Sequence, residues 1–313
     1  MRIINRSYGC IKNIDEIGQN MNKMKILVTG HTGFIGTHLV EKLESEFTVL
    51  TGRKKNEPYL NVLEKSRLLD LDEVDTVIHL AAKTSIPNSI SNPYDTYYTN
   101  VVGTLNILDN AIIKKIKNII YISTYVYGHP KYIPINENHP LSPHSPYNKS
   151  KLICEKLCKY YSEDYDLNIV TLRPFYIYGP SHNSSFVSSA IRNAINNEKV
   201  ILSRKSTRRD FLFIDDFINL IHKILINFPE GYHVYNVGYG KSYSLEDILR
   251  IIGSITNKKI DIQYDSSFRP NDVVESVANI NKVMREFGWK PTIDIEEGLR
   301  LTISRYFQTL ETD

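Results

Sequence analysis

Apolar and polar residues alternate along the chain in two rhythms. Short runs of branched aliphatic residues recur before residue 175, and longer stretches with an apolar residue every three or four positions lie between them. The short runs are KILVTG (25–30), FTVLTG (47–52), TVIHLAA (76–82), NIIYIST (118–124) and NIVTLRP (168–174). Buried strands that alternate with helices such as IGTHLVEKLES predict a parallel sheet covered on both faces, a doubly wound α/β fold.

The rhythm changes after Pro174. The segments that follow are a helix (FVSSAIRNAINNE), a strand-to-helix stretch (200–228), a late strand (YHVYNVG) and a helix with a Ser-x-x-Asp capping signal (SLEDILRIIGSIT). We predict a first domain over 25–174 and a smaller C-terminal α/β substrate lobe over 175–313, with 211–238 returning to the first sheet. Residues 1–24 are expected to form a flexible extension.

Composition narrows the classes of function. Of the 313 residues, 42% are hydrophobic and 23% are charged, and the formal net charge of +3 comes from acids and bases mixed along the chain. This balance gives no argument for nucleic-acid or membrane binding, although an anionic small substrate is compatible with it. No apolar run reaches the ~20 residues of a membrane-spanning helix, and the first residues lack the apolar centre of a signal peptide. We expect a cytoplasmic protein.

The three cysteines offer neither a disulfide framework nor a metal site. Cys154 and Cys158 lie four positions apart on a predicted helix, without the neighbouring His or Cys ligands that zinc requires, and Cys10 stands apart. We interpret all three as free thiols and expect no metal.

A glycine-rich turn joins the first strand to the first helix. GHTGFIG places Gly30, Gly33 and Gly36 three positions apart, in the strand–turn–helix context of a dinucleotide-binding fingerprint. The helix N-terminus would offer N–H groups and its positive dipole end to a pyrophosphate. The alternative is a glycine turn without a ligand. The context favours a Rossmann-type domain that binds NAD or NADP.

The end of the second strand bears on which cofactor is bound. An NAD site usually carries an acidic residue there for the ribose hydroxyls, whereas this chain has Arg53, Lys54 and Lys55. A guanidinium or ammonium at this place can pair with the additional phosphate of NADP. A basic loop facing solvent is the alternative, so NADP is the preferred cofactor and NAD stays open.

A tyrosine and a lysine stand four residues apart in YNKSK. Tyr147 and Lys151 would share one face of a helix. Taken alone, this spacing fits two ordinary residues of an amphipathic helix as well as a catalytic pair.

Nine motifs follow one another from Lys25 almost to the end of the chain. In chain order they are TGHTGFIG, VIHLAA, TNVVGTLNIL, STYVYG, SPYNKSK, LRPFYIYGP, RRDFLFIDD, FRPNDV and FGWKPTIDIEEGL. Together they resemble the extended short-chain dehydrogenases/reductases, in the NAD-dependent epimerase/dehydratase branch that acts on nucleotide-diphosphate sugars.

The resemblance implies a catalytic set of Ser123, Tyr147 and Lys151. Tyr147 matches the acid/base tyrosine, and a phenol with a pKa near ~10 needs help to act as a base near neutral pH. Lys151 and an oxidised nicotinamide would lower that pKa, and Lys151 would also hold the nicotinamide ribose. Ser123 is matched to the hydroxyl residue that binds the sugar oxygen.

The same resemblance implies two sets of binding residues. The expected cofactor contacts are Gly30, Thr32, Gly33, Phe34, Ile35, Gly36, Arg53, Lys54, Asn61, Val62, Leu80, Ala81, Ala82, Lys83, Asn100, Tyr147, Lys151 and Pro174. The expected substrate contacts are Ser85, Ser89, Ser123, Thr124, Tyr147, Tyr176, Arg209 and Arg269. The two arginines are matched to positions that reach the nucleotide diphosphate.

Departures from the family pattern shape the choice of reaction. Tyr176 stands where the family usually has an Asn near the substrate. STYVYG lacks the Asp-Glu pair of the 4,6-dehydratases, so that reaction is disfavoured. The expected function is an oxidoreductase or epimerase acting at C4 of the hexose, either a 4-epimerase or a 4-keto reductase. A catalytically retired NADP-binding sensor is the rival. The resemblance also implies a homodimer formed through helices at 94–113 and 147–162.

Overall fold

The computed structural model describes residues 24–51, 60–71, 73–182, 185–203, 207–265 and 273–310. The predicted N-terminal extension lies outside these ranges, apart from Met24. So do Arg53, Lys54 and Arg269, which were expected to contact the cofactor or the substrate.

The strands form one large and two small sheets. In chain order they are β1 (Lys25–Thr29), β2 (Thr48–Leu50), β3 (Thr76–His79), β4 (Asn118–Ile122), β5 (Asn168–Pro174), β6 (Tyr176–Tyr178), β7 (Val200–Leu202), β8 (Arg208–Phe213), β9 (Tyr232–Val237), β10 (Ser242–Ser244) and β11 (Ile262–Tyr264). The large sheet has six strands in the order β2-β1-β3-β4-β5-β9, all parallel. Its last strand lies within the stretch 211–238.

Helices connect these strands and cover the large sheet. In chain order they are α1 (Phe34–Leu43), α2 (Lys65–Leu69), α3 (Ile86–Ser91), α4 (Pro93–Tyr97), a π-helix (Tyr98–Val102), α5 (Gly103–Lys114), α6 (Pro146–Tyr165), α7 (Phe186–Asn196), α8 (Ile214–Ile226), α9 (Leu245–Thr256), α10 (Asn281–Phe287) and α11 (Ile295–Leu310). The capping box that the sequence predicted at the start of α9 is present between Ser244 and Asp247.

Alternation along the strands divides the core into two layers. Successive side chains of a strand point to opposite faces, so Ile26 and Val28 of β1 lie in one apolar cluster and Leu27 in the other. The first cluster is covered by α1, α8 and the C-terminal lobe, and the second by α2, α5 and α6. Each such fully buried aliphatic side chain contributes about 1.5–3 kcal/mol of transfer free energy. A parallel sheet with an apolar layer and helices on each face is the doubly wound fold that the sequence predicted.

The C-terminal lobe is built on the two small sheets. One has the order β10-β8-β6 and the other pairs β11 with β7. Helix α7 packs on β7 and α9, and Asp210 of β8 holds the turn after β9 by accepting the backbone N–H groups of Tyr239, Gly240 and Ala278. This lobe stands beside the carboxyl ends of β4, β5 and β9.

The parallel register brings the carboxyl ends of the strands to one edge. Thr29 pairs with His79, His79 with Tyr121, and Ile122 with Leu172. The segments that follow β1, β3, β4 and β5 therefore meet along this edge, which is where open α/β sheets bind ligands.

Candidate active site

The glycine turn forms a cradle at this edge. Gly30 adopts φ +73°, and a Cβ there would lie 2.7 Å from the backbone nitrogen of Ala81; at Gly36 it would lie 2.4 Å from the carbonyl oxygen of Gly30. Helix α1 starts at Phe34 with Gly33 as its N-cap and without a side-chain cap. A helix start of this kind directs its first N–H groups at a phosphate. The turn fits the pyrophosphate of a dinucleotide.

The segment after β3 lies beside this turn. Ala81 donates its N–H to the Thr29 hydroxyl at 3.3 Å, and Asn100 binds both the N–H (2.7 Å) and the carbonyl (3.1 Å) of Lys83. Asn100 is buried and belongs to the π-helix, an element often found at functional sites. The structure thus places Leu80 and Ala81 against Gly30. The side chain of Lys83 is turned to Asp95, with which it forms an ion pair.

Other expected cofactor residues have mainly structural contacts. The Asn61 side chain accepts the N–H of Leu63 at 3.1 Å, which uses it in a local turn. Val62 is buried against Gly103, where an added Cβ would lie 2.6 Å from Cγ2 of Val62. Pro174 is buried at the end of β5, where it pairs with Val237.

A buried histidine that the sequence analysis did not single out supports the same edge. His79 lies between the hydroxyls of Thr29 (2.7 Å) and Thr104 (3.1 Å). Burial, with a smaller contribution from the charge of Lys151, lowers the pKa of His79 to about 3, so the imidazole is neutral. The VIHL motif contained the residue but gave no sign of its partners, which are 50 and 25 positions away.

Helix α6 carries Tyr147 and Lys151 on one face, where Tyr147 is half-buried and Lys151 buried. The helix begins after Ser145, whose hydroxyl accepts the N–H of Asn148. Thr124, at the end of β4, is the side chain that opposes the effect of burial on the pKa of Tyr147. Lys151 is only 3% exposed, and its Nζ lies 4.4 Å from the centroid of the Tyr121 ring. Sequence spacing and tertiary structure therefore agree on this pair.

The pKa values of this pair depart from the sequence expectation. Burial raises the pKa of Tyr147, and the Thr124 side chain only partly opposes this effect. The expectation of a lowered pKa is therefore wrong for the protein alone, because burial penalises the phenolate; lowering would have to come from the nicotinamide charge. Burial also lowers the pKa of Lys151 to about 8, against the opposing influence of Cys154, Cys158 and Glu155.

Two adjacent hydroxyl residues follow β4. Ser123 is buried, and its hydroxyl donates to Oε1 of Glu155. Thr124, next in the chain, acts on the pKa of Tyr147. Neighbouring residues of an extended segment point in opposite directions, so the two hydroxyls have different surroundings. The assignment of Ser123 to the sugar oxygen stays a prediction.

Two further serines expected at the substrate are used within α3. Ser85 is the N-cap of this helix and accepts the N–H of Asn88 at 3.3 Å. Ser89 is buried and donates to the carbonyl of Ile86 at 2.7 Å. Both hydroxyls are therefore used in the local hydrogen bonding of α3.

On the lobe side, Arg209 lies among phenols. Its Nη1 donates to the carbonyls of Val273 (2.6 Å) and Arg208 (2.8 Å). Burial raises the pKa values of Tyr125 and Tyr176, and the charge of Arg209 acts on both in the opposite direction. The Tyr176 hydroxyl accepts the N–H of Phe186 at 3.1 Å, at the start of α7. The charge of Arg209 therefore acts on both Tyr176 and Tyr125, which follows Thr124.

A buried ion pair lies beneath this site. Glu155 of α6 and Arg173 of β5 are 3% and 5% exposed, and their closest contact, Nη2 to Oε2, is 2.6 Å. Sequence spacing alone does not reveal this ion pair, although Glu155 stands one helical turn after Lys151. In the described ranges no cluster of His, Cys, Asp and Glu could hold a metal ion, and no helix is long and apolar enough to cross a membrane. Cys154 and Cys158 are free thiols, as expected.

Comparison with known proteins decides the family. The model of the NAD dependent epimerase/dehydratase family matches residues 26–238, which is more than half of the chain. The chain belongs to this family. A protein of Methanocaldococcus jannaschii with the provisional name UDP-glucose 4-epimerase is 33% identical over 301 residues, covering 89% of this chain and 97% of that one. UDP-glucuronic acid decarboxylase 1 of Danio rerio is 29% identical over 316 residues, covering 93% and 74%.

Solved structures of the family have the same fold. UDP-glucose 4-epimerase from Thermotoga maritima with UDP-glucose superposes with a TM-score of 0.83 at 25% identity, covering 92% of this chain and 100% of that one. RMD from Pseudomonas aeruginosa complexed with NADPH gives 0.84 at 27%, covering 91% and 99%. The predicted fold class, the family and the expectation of an enzyme are confirmed.

Proposed function

We propose that the chain transfers hydride between a nicotinamide cofactor and C4 of a nucleotide-diphosphate hexose, as a 4-epimerase or a 4-keto reductase. The observation that carries this proposal is the placement of Tyr147 and Lys151 one turn apart on α6, at the strand edge that also holds the glycine cradle and the hydroxyls of Ser123 and Thr124. These are the groups that alcohol–ketone interconversion needs in one place.

Each side chain has a defined task. Tyr147 takes the proton of the C4 hydroxyl during oxidation and returns it during reduction. Ser123, with Thr124 beside it, hydrogen-bonds the same sugar oxygen. Lys151 holds the nicotinamide ribose and supplies positive charge in a site where burial penalises the phenolate. The nicotinamide, when bound, accepts the hydride from the ring carbon or donates it.

The diphosphate would be bound on the lobe side. Arg209 is placed by two backbone carbonyls and lies near Tyr125 and Tyr176. A guanidinium fits phosphate oxygens bidentately. We propose that Arg209 binds the diphosphate together with Arg269, and that Tyr176 shapes the sugar pocket.

A 4,6-dehydratase remains disfavoured on the same residues. That reaction needs an acid and a base next to the catalytic hydroxyl, and this chain has Tyr125 there. The Tyr125 hydroxyl donates to the carbonyl of Gly128 at 2.7 Å, and burial raises its pKa, so it stays protonated. Among the described residues, the carboxylate held next to Ser123 is Glu155, which is engaged with Arg173.

We further propose that the protein forms a homodimer. Apolar and aromatic side chains are exposed along α3–α4 and α6, and Tyr94 stacks on Tyr98 with ring centroids 5.9 Å apart. The exposed members are Ile90, Tyr94, Tyr98, Ile153 and Tyr160. Burial of this surface against a second copy would remove it from water.

The test is a panel of UDP-, dTDP-, GDP- and CDP-hexoses. Thermal shift identifies the nucleotide that binds, and product analysis with NAD or NADPH identifies the reaction. Tightly retained NAD with conversion of the sugar at C4 supports the epimerase. Consumption of NADPH with a 4-keto sugar supports the reductase. Release of CO₂ from a nucleotide hexuronate, or cofactor binding without any turnover, would contradict the proposal and favour a decarboxylase or a sensor.

A further inference from the structure

The Lys151 ammonium lies over the face of the Tyr121 ring. Its Nζ is 4.4 Å from the ring centroid, and the two residues are 3% and 1% exposed, so water is largely excluded from the contact. Among the described residues the ammonium has no ion pair, and the carboxylate of Glu155, one turn further along α6, is bound to Arg173. An aromatic face is electrostatically negative and attracts a cation placed over it.

Strand alternation places Tyr121 beneath α6. In β4, Ile119 and Tyr121 belong to the apolar layer under α5 and α6, whereas Ile120 and Ile122 belong to the other layer. The parallel register sets Tyr121 beside His79 of β3, with ring centroids 5.8 Å apart. The ring is therefore fixed by the sheet, and the lysine reaches it from the helix.

The other groups around this contact add little charge. Burial lowers the pKa of His79 to about 3 and raises the pKa values of Tyr121 and Cys158, so all three are neutral near pH 7. Burial also raises the pKa of Cys154. Charged or titratable side chains on elements packed against α6 that have partners of their own are Asp95 with Lys83, Asp109 with Lys65, Arg173 with Glu155, and Tyr232 with the Glu155 carbonyl.

A ring face suits this position better than a carboxylate would. Lys151 shares its helix face with Tyr147, and a carboxylate in contact with the lysine would disfavour the phenolate that Tyr147 has to form. The ring attracts the ammonium without a net negative charge. Carboxylate oxygens would also occupy the N–H donors of the lysine, which the proposed function assigns to the ribose hydroxyls.

We infer that Tyr121 is a positioning residue for the reaction, whose ring face holds the Lys151 ammonium charged and in place without adding a negative charge to the site. This inference rests on the proposed function, which assigns Lys151 to the nicotinamide ribose. Tyr121 acts only through Lys151.

Two substitutions separate the ring from its hydroxyl. Tyr121→Phe keeps the ring face and removes a hydroxyl that has no hydrogen-bond partner among the described residues. Tyr121→Leu keeps an apolar side chain and removes the ring face. The measurement is the titration of Lys151 in the cofactor-free full-length protein, followed by the ¹³Cε signal that disappears in Lys151→Met.

The ring should support the charged form by a measurable amount. A desolvated cation–π contact corresponds to about one pH unit. We expect the pKa of Lys151, about 8 in the wild type, to stay within about 0.3 pH unit in Tyr121→Phe and to fall by about one pH unit in Tyr121→Leu. An unchanged or raised pKa in Tyr121→Leu, or an equal fall in Tyr121→Phe, would overturn the inference.

Turnover gives a second readout. If the charged form of Lys151 is the active one, the ratio of kcat/KM between the wild type and Tyr121→Leu should rise from less than about twofold at pH 6 to about tenfold at pH 9. A packing defect alone would lower the rate by the same factor at every pH, which would count against the inference. Tyr121→Phe should retain the wild-type profile.

A matched control lies in the other apolar layer. Phe217 is fully buried on α8, so Phe217→Leu removes an aromatic ring of similar burial away from Lys151. This variant should lose stability and leave both the Lys151 titration and the pH profile unchanged. If Tyr121→Leu does not fold, Tyr121→Met takes its place with the same expectation.

The titration also separates this inference from the proposed function, because it needs no turnover. A pKa of Lys151 that falls in Tyr121→Leu alone would support the contact even if no nucleotide sugar were converted. An active enzyme in which Lys151 titrates alike in all variants would refute the inference and leave the proposed function standing.

Discussion

Replacing Lys151 by methionine should abolish activity and stabilise the protein. The side chain is 3% exposed, and burial lowers its pKa from an ordinary value of 10.5 to about 8. At ~1.4 kcal/mol per pH unit, this difference corresponds to about 3 kcal/mol by which burial disfavours the charged form. Methionine has a similar length and no charge, so Lys151→Met should recover about 2–3 kcal/mol at pH 7 in the cofactor-free protein.

The pH dependence of this gain has a definite sign. Below pH 8 the lysine is charged in both folded and unfolded chains, so the folded wild type carries the whole penalty. Between pH 8 and 10.5 the unfolded chain binds more protons than the folded one, so the stability of the wild type rises with pH relative to the variant. The advantage of Lys151→Met should therefore be largest near neutral pH and should shrink as pH approaches 10.5.

The assay is urea denaturation of the cofactor-free proteins at several pH values from 6 upward. Lys149→Met is the matched control, because Lys149 lies on the same helix and is exposed. It should change the free energy of unfolding by less than about 0.5 kcal/mol at every pH. A Lys151→Met protein that is less stable than the wild type at pH 7, or whose advantage does not shrink at high pH, would refute the reasoning.

Three further predictions concern chemistry, cofactor and assembly. Tyr147→Phe should keep the fold and cofactor binding and lower turnover by about 10²–10⁴-fold. In the oxidative direction it should also remove the rise of the rate with pH that deprotonation of the phenol produces. A variant that keeps this rise would contradict the acid/base role of Tyr147. Arg53→Asp should reverse a preference for NADP over NAD in fluorescence titration, whereas tighter binding of NAD by the wild type would show that the basic loop faces solvent. Tyr160→Glu should give a monomer in sedimentation at micromolar concentration, with Ile226→Glu, exposed on α8, as control; a monomeric wild type would end the dimer proposal.

Most strands, helices and turns of the fold could be predicted because they follow from local sequence patterns. The run NIVTLRP became β5 with the same bounds, and the glycine turn took its place between β1 and α1. Apolar periodicity and turn chemistry need only neighbouring residues, so they are visible in the chain itself. The short strands of the lobe and the π-helix were less visible, because their boundaries depend on tertiary contacts.

The details of the site were harder to predict for a physical reason. Ser123 and Thr124 offer the same hydroxyl one residue apart, and only the facing helix shows that the Ser123 hydroxyl is bonded to Glu155. The partners of Glu155 are 32 and 18 positions away, so no local spacing reveals them. The pKa of Tyr147 was predicted in the wrong direction for the protein alone, because the neighbouring lysine was visible in the chain and the burial of the phenol was not.

The π-helix at Tyr98–Val102 makes the chain unusually sensitive to a change of length. An α-helix advances ~100° per residue, and the wider turn accommodates one more residue than the α-helices on either side would. Deleting a single residue there would turn the π-helix into an ordinary α-helical turn and rotate everything before it by about that angle relative to α5. Asn100 would lose its hydrogen bonds to the backbone of Lys83. Tyr94 would move away from its present side of the molecule. Homologous enzymes that differ in length within this segment should therefore differ in cofactor pocket and subunit contact together.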